Sequence, residues 1–462
     1  MAQQSAQQLD DNPTSLRVRD PGVRALFTIE ANWQSWLDVE AALAKAEAEI
    51  GVIPEAAAKE IVAKAKLELL DRDRIVEGLR RTGHPIVPVV WELSRICEGD
   101  AGGYVHWGAT TQNIIQTGDL LLLRRVQDIF FGQLSAIFAA MADLALRTKD
   151  MALPGRTHGQ HAVPATFGMK VAVWIDEMRR HVERLRGVEP RLFMALLGGG
   201  AGTMASFGDQ GPEIQRRLAK HLGMTPMAVP SRTIGDHQAE YVALLGLMAA
   251  TCSKIAHEIY TLMKQEFGEV EEPVPPGTVG SSTMPQKRNP KLSQDIIAAA
   301  AQVRAMVPLA MEAMITEHEA DRTTSLMIRR ATQQACEQTG DILERLRMLM
   351  EGMQVFPERM RKNLDLSGGM IMAEALMLSL GAHIGRQTAH DVIYESAMES
   401  ATSGKPFAEL LAADPHVRKH LDEKQIRALL DPAAYTGQCA NFATEQAAVA
   451  RTLAGELNKA AG

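Results

Sequence analysis

The chain has 462 residues, of which 46% are hydrophobic, 5% aromatic and 23% charged, and its formal net charge is −7. This length exceeds one simple core and predicts two or three domains, and the abundance of Ala, Leu and Met is typical of packed helices. A modest negative charge with both signs interspersed argues against nucleic acid or an anionic membrane as the main partner.

The cysteines and the start of the chain bear on its compartment. Four cysteines lie far apart without a CxxC motif, which favours a reduced, cytoplasmic setting. They are Cys97, Cys252, Cys336 and Cys439. The start, "MAQQSAQQLDDNPTS", lacks an apolar signal core, and we expect its first dozen residues to form a mobile arm. No apolar run is expected to reach membrane-spanning length, because charges such as Lys254 interrupt the strongest candidate.

Helical periodicity dominates the pattern along the chain. In chain order the predicted elements are a helix over 31–51, short hairpin strands near 83–107, a long helix over 166–193, short strands near 198–208, a long helix from His237 to Phe267, and a helical stretch over 291–352 interrupted near "EHEADRTT". Gly51 and Pro54 end the first helix. Helices this long need partners along their whole length, so we expect a bundle or an oligomer core.

Two breaks in composition suggest domain boundaries, at "EGDAGGYVHWGATTQN" (98–113) and at "VFPERMRKNLDLSGG" (355–369). The predicted domains are an N-terminal helical domain (1–111), a central long-helix bundle (112–360) and a C-terminal helical domain (361–462).

Four polar islands interrupt the helical frame. They are "HWGATTQN" (106–113), "GRTHGQHAVP" (155–164), "VPSRTIGDHQAE" (229–240) and "GTVGSSTMPQKRNP" (277–290). Each has an ordinary explanation when taken singly: Thr110 and Thr111 suit a helix cap, and His158 and His161 lack a third metal ligand nearby. "HEAD" is not HExxH and no GxSxG occurs, so neither a zinc protease nor a hydrolase is supported, and no metal is predicted.

Together the islands suit removal of a proton from the carbon next to a carboxylate. The dianionic intermediate needs fixed donors and cations. The islands supply Lys287, Asn289, the hydroxyls of Thr110, Thr111 and Ser282, and the backbone amides around Gly280. Histidine suits proton donation to a leaving group near neutral pH. A serine base requires a closing loop that excludes water, and the span from Gly277 to Gly280 predicts such a hinge.

These motifs resemble a known family. "GSSTMPQKRNP", "VHWGATTQN", "GRTHGQHAVPATFG" and "AEALMLSLGAHIGRQTAHDVIYE" are similar to the motifs of the fumarase/aspartase (argininosuccinate/adenylosuccinate lyase) superfamily, over about 15–450. The resemblance is nearest to the branch with adenylosuccinate lyase and 3-carboxy-cis,cis-muconate cycloisomerase. It implies an all-α, three-domain subunit whose long central helices form a bundle core in a homotetramer. It also implies active sites built from three subunits and a small dicarboxylate substrate.

The resemblance carries roles onto particular residues. By position, Ser281 matches the family's serine base and His158 its histidine acid. The residues implied to bind substrate are Thr110, Thr111, Thr157, Gln160, His84, Ser282, Lys287 and Asn289. No cofactor is implied.

The chain also departs from the family's usual pattern. The departures are Asn113 and Gln116 where relatives carry acids, Gln286 in the serine loop, Gly235 in place of an arginine, and Ala320 in place of the arginine of "HERD". Loss of these arginines weakens phosphate binding and argues against adenylosuccinate itself as the substrate. Other arginines are candidates for holding an acidic leaving group, namely Arg17, Arg19, Arg24, Arg232 and Arg322.

Three functions are therefore considered. The first is a carbon–nitrogen lyase that removes an amine from an N-substituted aspartate and releases fumarate by reversible anti elimination. The second is a cycloisomerase acting on carboxymuconate-type dienes. The third is a non-catalytic helical scaffold or binding protein. The intact Ser281, His158 and Lys287 favour an enzyme, and the first function is preferred.

Overall fold

The computed structural model describes residues 18–274, 277 and 281–460. The expected N-terminal arm, Arg17 and Gly280 lie outside these residues. The described chain consists of helices and three small two-stranded sheets, which confirms the predicted all-α class.

Seventeen α-helices occur in the described residues. In chain order they are α1 (Ile29–Ala48), α2 (Glu55–Lys64), α3 (Arg72–Thr82), α4 (Val87–Ile96), α5 (Thr111–Arg147), α6 (Phe167–Leu192), α7 (Gly211–Leu222), α8 (Asp236–Leu262), α9 (Lys291–Glu312), α10 (Arg322–Gly352), α11 (Pro357–Leu364), α12 (Ala373–Ile384), α13 (Arg386–Ser403), α14 (Phe407–Ala413), α15 (Pro415–Arg418), α16 (Glu423–Leu429) and α17 (Cys439–Ala460). Short 3-10 turns connect several of them.

The strands are few and short. They are β1 (Ala152–Thr157), β2 (Gln160–Thr166), β3 (Met194–Ala195), β4 (Thr225–Pro226), β5 (Val270–Glu271) and β6 (Gln354–Val355). β1 and β2 form an antiparallel hairpin, β3 and β4 pair in parallel, and β5 and β6 pair antiparallel. The strands predicted near 83–107 and 198–208 were wrong, because α4 lies within the first range and the second contains turns.

The long helices pack side by side into one bundle, as predicted. α8 packs on α9, α9 on α10, α5 on α17 and α10, and α6 on α8 and α17. The interruption at "EHEADRTT" is confirmed, because α9 ends at Glu312 and α10 begins at Arg322. The longest helix, α5 with 37 residues, was not predicted as an element.

Two bundle helices, α5 and α8, are long and apolar enough to cross a membrane, judged by length and composition only. The expectation that no apolar run reaches this length was therefore wrong. A bent pair, Pro357–Ser367 with Met370–Ile384, would count as a third span if its two parts were joined. In α5 and α8, 56% and 61% of the most apolar window is buried inside the protein. Packing within the bundle accounts for much of this apolar character.

The apolar core is divided into a large cluster and smaller ones. The large cluster lies along the bundle helices and includes Leu453 and Leu457 of α17. A second cluster lies among the four helices α1, α2, α3 and α4 and includes residues from the start of α5 together with Ile214 and Leu218 of α7. A third lies between Leu376 and Ile426. The domain boundaries at 111 and 360 stay a prediction.

Candidate active site

The predicted site residues fall at two opposite ends of the bundle. One end of the bundle, here called the pocket end, contains a pocket that is lined by His84, by the starts of α5, α8 and α10, and by the end of α9. The hairpin β1–β2 and the loop before α9 lie at the other end, here called the loop end. α8 connects the two ends, and its 27 residues span about 40 Å at 1.5 Å per residue.

The pocket end encloses about 440 Å³. Its walls include residues from the first and third islands and from the "HEADRTT" turn, such as Thr111, Arg232 and Arg322. Thr110 does not line it. Its backbone N–H donates to Oδ1 of Asn113 (3.1 Å) at the start of α5, so the helix-cap explanation holds for this residue.

Asn113 and Gln116 are both buried. Oδ1 of Asn113 also accepts the N–H of Gly199 (3.0 Å) and so joins the glycine-rich turn to α5. Gln116 lines the pocket. A side-chain amide carries both a donor and an acceptor, so Gln116 can supply either one to the pocket.

His84 lies in the pocket wall with its ring partly buried. Its Nδ1 is buried and has no hydrogen-bond partner among the described residues. Burial lowers the pKa of His84, and the charges of Arg322 and His106 lower it further. The pocket wall therefore carries a neutral imidazole whose buried Nδ1 has no hydrogen-bond partner among the described residues.

The pocket carries more positive than negative charge. Arg232 donates to the carbonyl of Gly200 (2.9 Å), and burial lowers its pKa. Neither Arg232 nor Arg322 pairs with a carboxylate in the part of the chain that the structure describes. Asp119 lies 3.7 Å from Arg329, and burial raises the pKa of this acid to about 6, against the effect of that arginine.

The other arginine candidates lie elsewhere. Arg24 makes a two-pronged ion pair with Asp341 (2.6 and 2.9 Å) on α10, 19 residues beyond Arg322, and is not part of the pocket. Arg19 does not line the pocket. Arg17 lies outside the described residues.

At the loop end, His158 lies at the tip of the β1–β2 hairpin. Thr157 pairs with Gln160, so His158 and Gly159 form a two-residue turn. Both have positive φ (51° and 75°), as a type I′ turn requires. Such φ is strained for a histidine, and strain of this kind clusters at functional sites. Thr157, His158 and Gln160 are all exposed at this tip.

A buried ion pair anchors the hairpin close to its turn, because Arg156 pairs with His161 two residues before His158. Arg156 donates to both oxygens of Glu269 (2.6 and 3.1 Å), and Asn363 donates to the same carboxylate (2.7 Å). The guanidinium also lies over the ring of Phe267, 4.9 Å from its centroid. Because Glu269 is fully buried, the pair fixes the direction from which His158 projects. The sequence reasoning did not identify Arg156 or Glu269.

The serine loop presents Ser281 with donors on its oxygen. Ser281 Oγ accepts the backbone N–H of Met284 (3.1 Å) and of Thr283 (3.4 Å). Hydrogen bonds to a charged oxygen favour its charged form, so this turn suits a hydroxyl that must lose its proton. The amides predicted around Gly280 lie outside the described residues; the observed donors come from the other side of the serine.

The other predicted residues of this loop lie close by in the chain. Ser282 and Lys287 are exposed, and Asn289 is partly buried. Within one chain, therefore, Ser281 and His158 lie at the loop end, whereas His84 and Thr111 lie at the pocket end. No set of three His, Cys, Asp or Glu side chains in the described ranges clusters as metal ligands.

Comparison with known proteins gives consistent matches along the chain. A family model described as "Lyase" matches residues 15–305, and one described as "Adenylosuccinate lyase C-terminus" matches residues 369–445. The chain is 38% identical to the adenylosuccinate lyase of Methanothermobacter thermautotrophicus, over 92% of this chain and 96% of the relative. It is 36% identical to the N-acetyl-S-(2-succino)cysteine lyase of Enterococcus italicus, over 93% of this chain and 94% of the relative. The crystal structure of 3-carboxy-cis,cis-muconate lactonizing enzyme from Pseudomonas putida matches with a TM-score of 0.85 and 32% identity, over 95% of this chain and 98% of that one.

Proposed function

The chain belongs to the lyase family of the fumarase/aspartase superfamily, near its adenylosuccinate lyase and carboxymuconate cycloisomerase branch. On that premise we propose that it cleaves an N-substituted aspartate by reversible anti β-elimination, releasing fumarate and an amine. The names of two relatives contain a succinyl group, which supports a succinyl-type substrate. The observation that carries the proposal is the turn at Ser281, whose Oγ receives two backbone N–H groups.

The proposed reaction assigns one proton step to each of two residues. Ser281, as the alkoxide, takes the proton from Cβ of the substrate. The electrons of that C–H bond form the double bond, the C–N bond breaks, and its electrons remain on nitrogen. His158 donates the proton that nitrogen needs to leave as an amine. The chemistry requires no cofactor.

The carboxylate next to Cβ takes up charge as the proton leaves. Lys287 supplies a cation and Asn289 an amide donor from the same loop as the serine. Such fixed donors stabilise the intermediate more strongly in a dry site than in water. Ser282, Thr157 and Gln160 are proposed to bind the substrate from the loop end.

A site that also uses the pocket end requires more than one chain. The two ends are about 40 Å apart along the 27 residues of α8, so one chain cannot bring His84 and Thr111 to its own Ser281. An antiparallel neighbour would bring its pocket end to this loop end. The separation calls for at least two chains; the family resemblance implies a homotetramer with active sites shared by three subunits, and we propose that assembly. Exposed apolar side chains at the α9–α10 turn support association, namely Met311, Met314, Ile315 and Leu326.

The pocket end is proposed to hold the leaving group. Arg232 and Arg322, which have no carboxylate partner among the described residues, favour a leaving group that carries an acid. His84 would add one hydrogen bond as a neutral imidazole. The resemblance expects an arginine where this chain has Ala320, which argues against adenylosuccinate itself as the substrate.

A substrate panel tests the proposal. N-succinyl amines with neutral, cationic and anionic leaving groups are incubated with the wild-type chain and with Ser281→Ala, and fumarate is followed by its ultraviolet absorbance. We expect turnover by the wild type, fastest for an anionic leaving group. A general base is worth about 10²- to 10⁴-fold, so Ser281→Ala should lose that much in rate while still binding substrate. An unchanged rate in Ser281→Ala would refute the base assignment.

A second candidate is a cycloisomerase acting on carboxymuconate-type dienes. The likeness to the lactonizing enzyme from Pseudomonas putida supports it. Loss of diene absorbance without formation of fumarate would identify this activity. If neither assay shows turnover but a dicarboxylate binds tightly, a binding role would replace both.

A further inference from the structure

A buried carboxylate joins the two sides of the stem of the serine loop. Glu272 follows β5 directly, where the chain enters the loop. Its two oxygens accept the backbone N–H of Leu292 (3.0 Å) and of Ser293 (2.7 Å), which lie in the first turn of α9 where the chain leaves the loop. Only 4% of Glu272 is exposed. Glu272 thus joins the residue that follows β5 to the first turn of α9, and an ion pair between Arg288 and Glu271 (3.6 Å) also joins the two sides of the stem.

This carboxylate replaces a local helix cap. The N-cap residue of α9 is Pro290, and it makes no side-chain cap hydrogen bond. The first N–H groups of a helix need acceptors, and a negative charge there is favoured by the helix dipole. Burial raises the pKa of Glu272, and the hydrogen bonds from Ser293 and Leu292 oppose that rise. The acceptor that α9 needs therefore comes from the far side of the loop, 20 residues earlier in the chain.

Packing fixes the same stem from the side. β5 pairs with β6, so the residues just before Glu272 are held against the end of α10. Pro273 packs on Gly352 so closely that a Cβ at Gly352 would lie 2.5 Å from Cβ of Pro273. The start of the loop is thus held against the end of α10, and the hydrogen bonds of Glu272 hold the start of α9 next to it.

We propose that Glu272 is a positioning residue for catalysis: by capping α9 across the loop stem, it fixes where the loop presents Ser281. This inference rests on the proposed function, in which Ser281 is the base. Glu272 does not touch the reacting atoms and acts through the loop. Errors of about 1 Å in the placement of a reacting group cost about 10²-fold in rate, so a modest shift of the stem is enough to be measured.

The test uses Glu272→Gln in the full-length chain. Glutamine keeps the shape of the side chain but has only one acceptor oxygen. Its NH₂ group therefore lies opposite the backbone N–H of Leu292 or Ser293, and one of the two hydrogen bonds is lost. Glu266→Gln is the matched control, because it makes the same change in charge at an exposed glutamate six residues earlier. The probe is the N-succinyl amine that the wild type turns over fastest, with Ser281→Ala measured alongside.

We expect kcat of Glu272→Gln to fall about 10²-fold while KM stays within about threefold, since the stem shift affects the reacting atom more than binding. Hydrogen–deuterium exchange should become faster over residues 281–293 and stay unchanged over 111–119. Glu266→Gln should match the wild type in both measurements. Glu272→Asp, which keeps the charge but is one methylene shorter, should also lose kcat.

The outcomes separate this inference from the proposed function. A wild-type kcat in Glu272→Gln, with Ser281→Ala inactive, would overturn the inference alone, as would a loss confined to KM. Full activity in Ser281→Ala would overturn both, because there would be no base to position. If both Glu272 variants failed to fold, the residue would serve folding, and the inference would be wrong.

Discussion

The ion pair beneath the His158 hairpin gives a prediction whose size follows from the structure. Arg156→Met leaves the fully buried carboxylate of Glu269 with Asn363 Nδ2 (2.7 Å) as its remaining side-chain donor. Breaking a buried pair by removing one partner costs about 3–5 kcal/mol, because the other charge stays buried without compensation. At about 2.1 cal/mol/K per residue, the unfolding entropy of 462 residues is about 1 kcal/mol/K. If the chain melts as one unit, Tm should therefore fall by about 3–5 °C.

The assay is thermal unfolding at one fixed protein concentration, with Arg427→Met as the control. Arg427 pairs with Glu423 on the surface of α16, and the two side chains are 70% and 66% exposed. An exposed pair of this spacing is worth about 0.3–0.5 kcal/mol, so the control should lose less than about 1 °C. A loss in Arg156→Met no larger than in the control would refute the argument that this pair fixes the hairpin.

Three further predictions concern charge, the leaving group and assembly. Glu47 is fully buried without a described partner, and burial with the charge of Glu40 raises its pKa from 4.5 to about 8. The folded state keeps a proton that the unfolded state releases above pH 4.5, so the free energy of unfolding falls as pH rises from 4.5 to 8. Because Glu47→Gln cannot titrate, the difference between its Tm and that of the wild type should increase in favour of the variant over this pH range and then stay constant at higher pH. Arg322→Met should raise KM about 10- to 100-fold for an anionic leaving group and leave a neutral one unaffected, as measured by competition between the two. In the third test, Ser281→Ala and Thr111→Val chains are mixed in equal amounts and refolded together. If each active site takes Ser281 from one chain and Thr111 from another, about a quarter of the sites contain both intact residues, and about a quarter of wild-type activity should return. If each chain holds its own complete site, no activity should return.

The sequence predicted those features that depend on neighbours in the chain. The serine loop was recognisable because Ser281, Lys287 and Asn289 lie within nine residues. The long helices at 166–193 and 237–267 were recognisable from apolar spacing. α5 was not predicted, although Thr110 and Thr111 were considered as helix-capping residues.

Other features could not be predicted because their partners are distant in the chain. The hairpin at His158 was missed because its turn is His–Gly and not the usual Asn–Gly or Asp–Gly. Glu269 and Glu272 look like ordinary surface acids in "GEVEEP", since the residues that bury and bind them are 113 and 20 positions away. The islands lie at two opposite ends of the bundle because the long helices between them carry the chain from one end to the other. The spacing of the motifs in the sequence does not show at which end each island lies.

That separation links the proposed chemistry to assembly. A serine oxygen becomes a base only when donors and cations stabilise its charge and water is excluded. The described chain supplies two N–H groups to Ser281 Oγ, while Lys287 on the same loop is exposed. The neutral His84 and the unpaired Arg232 lie about 40 Å away, at the far end of the 27-residue helix α8. A single chain therefore holds the Ser281 turn with its two N–H donors at one end and a cationic pocket at the other. On the proposed mechanism, contact between chains both completes the anion site and excludes water from it, so assembly and base strength should be lost together.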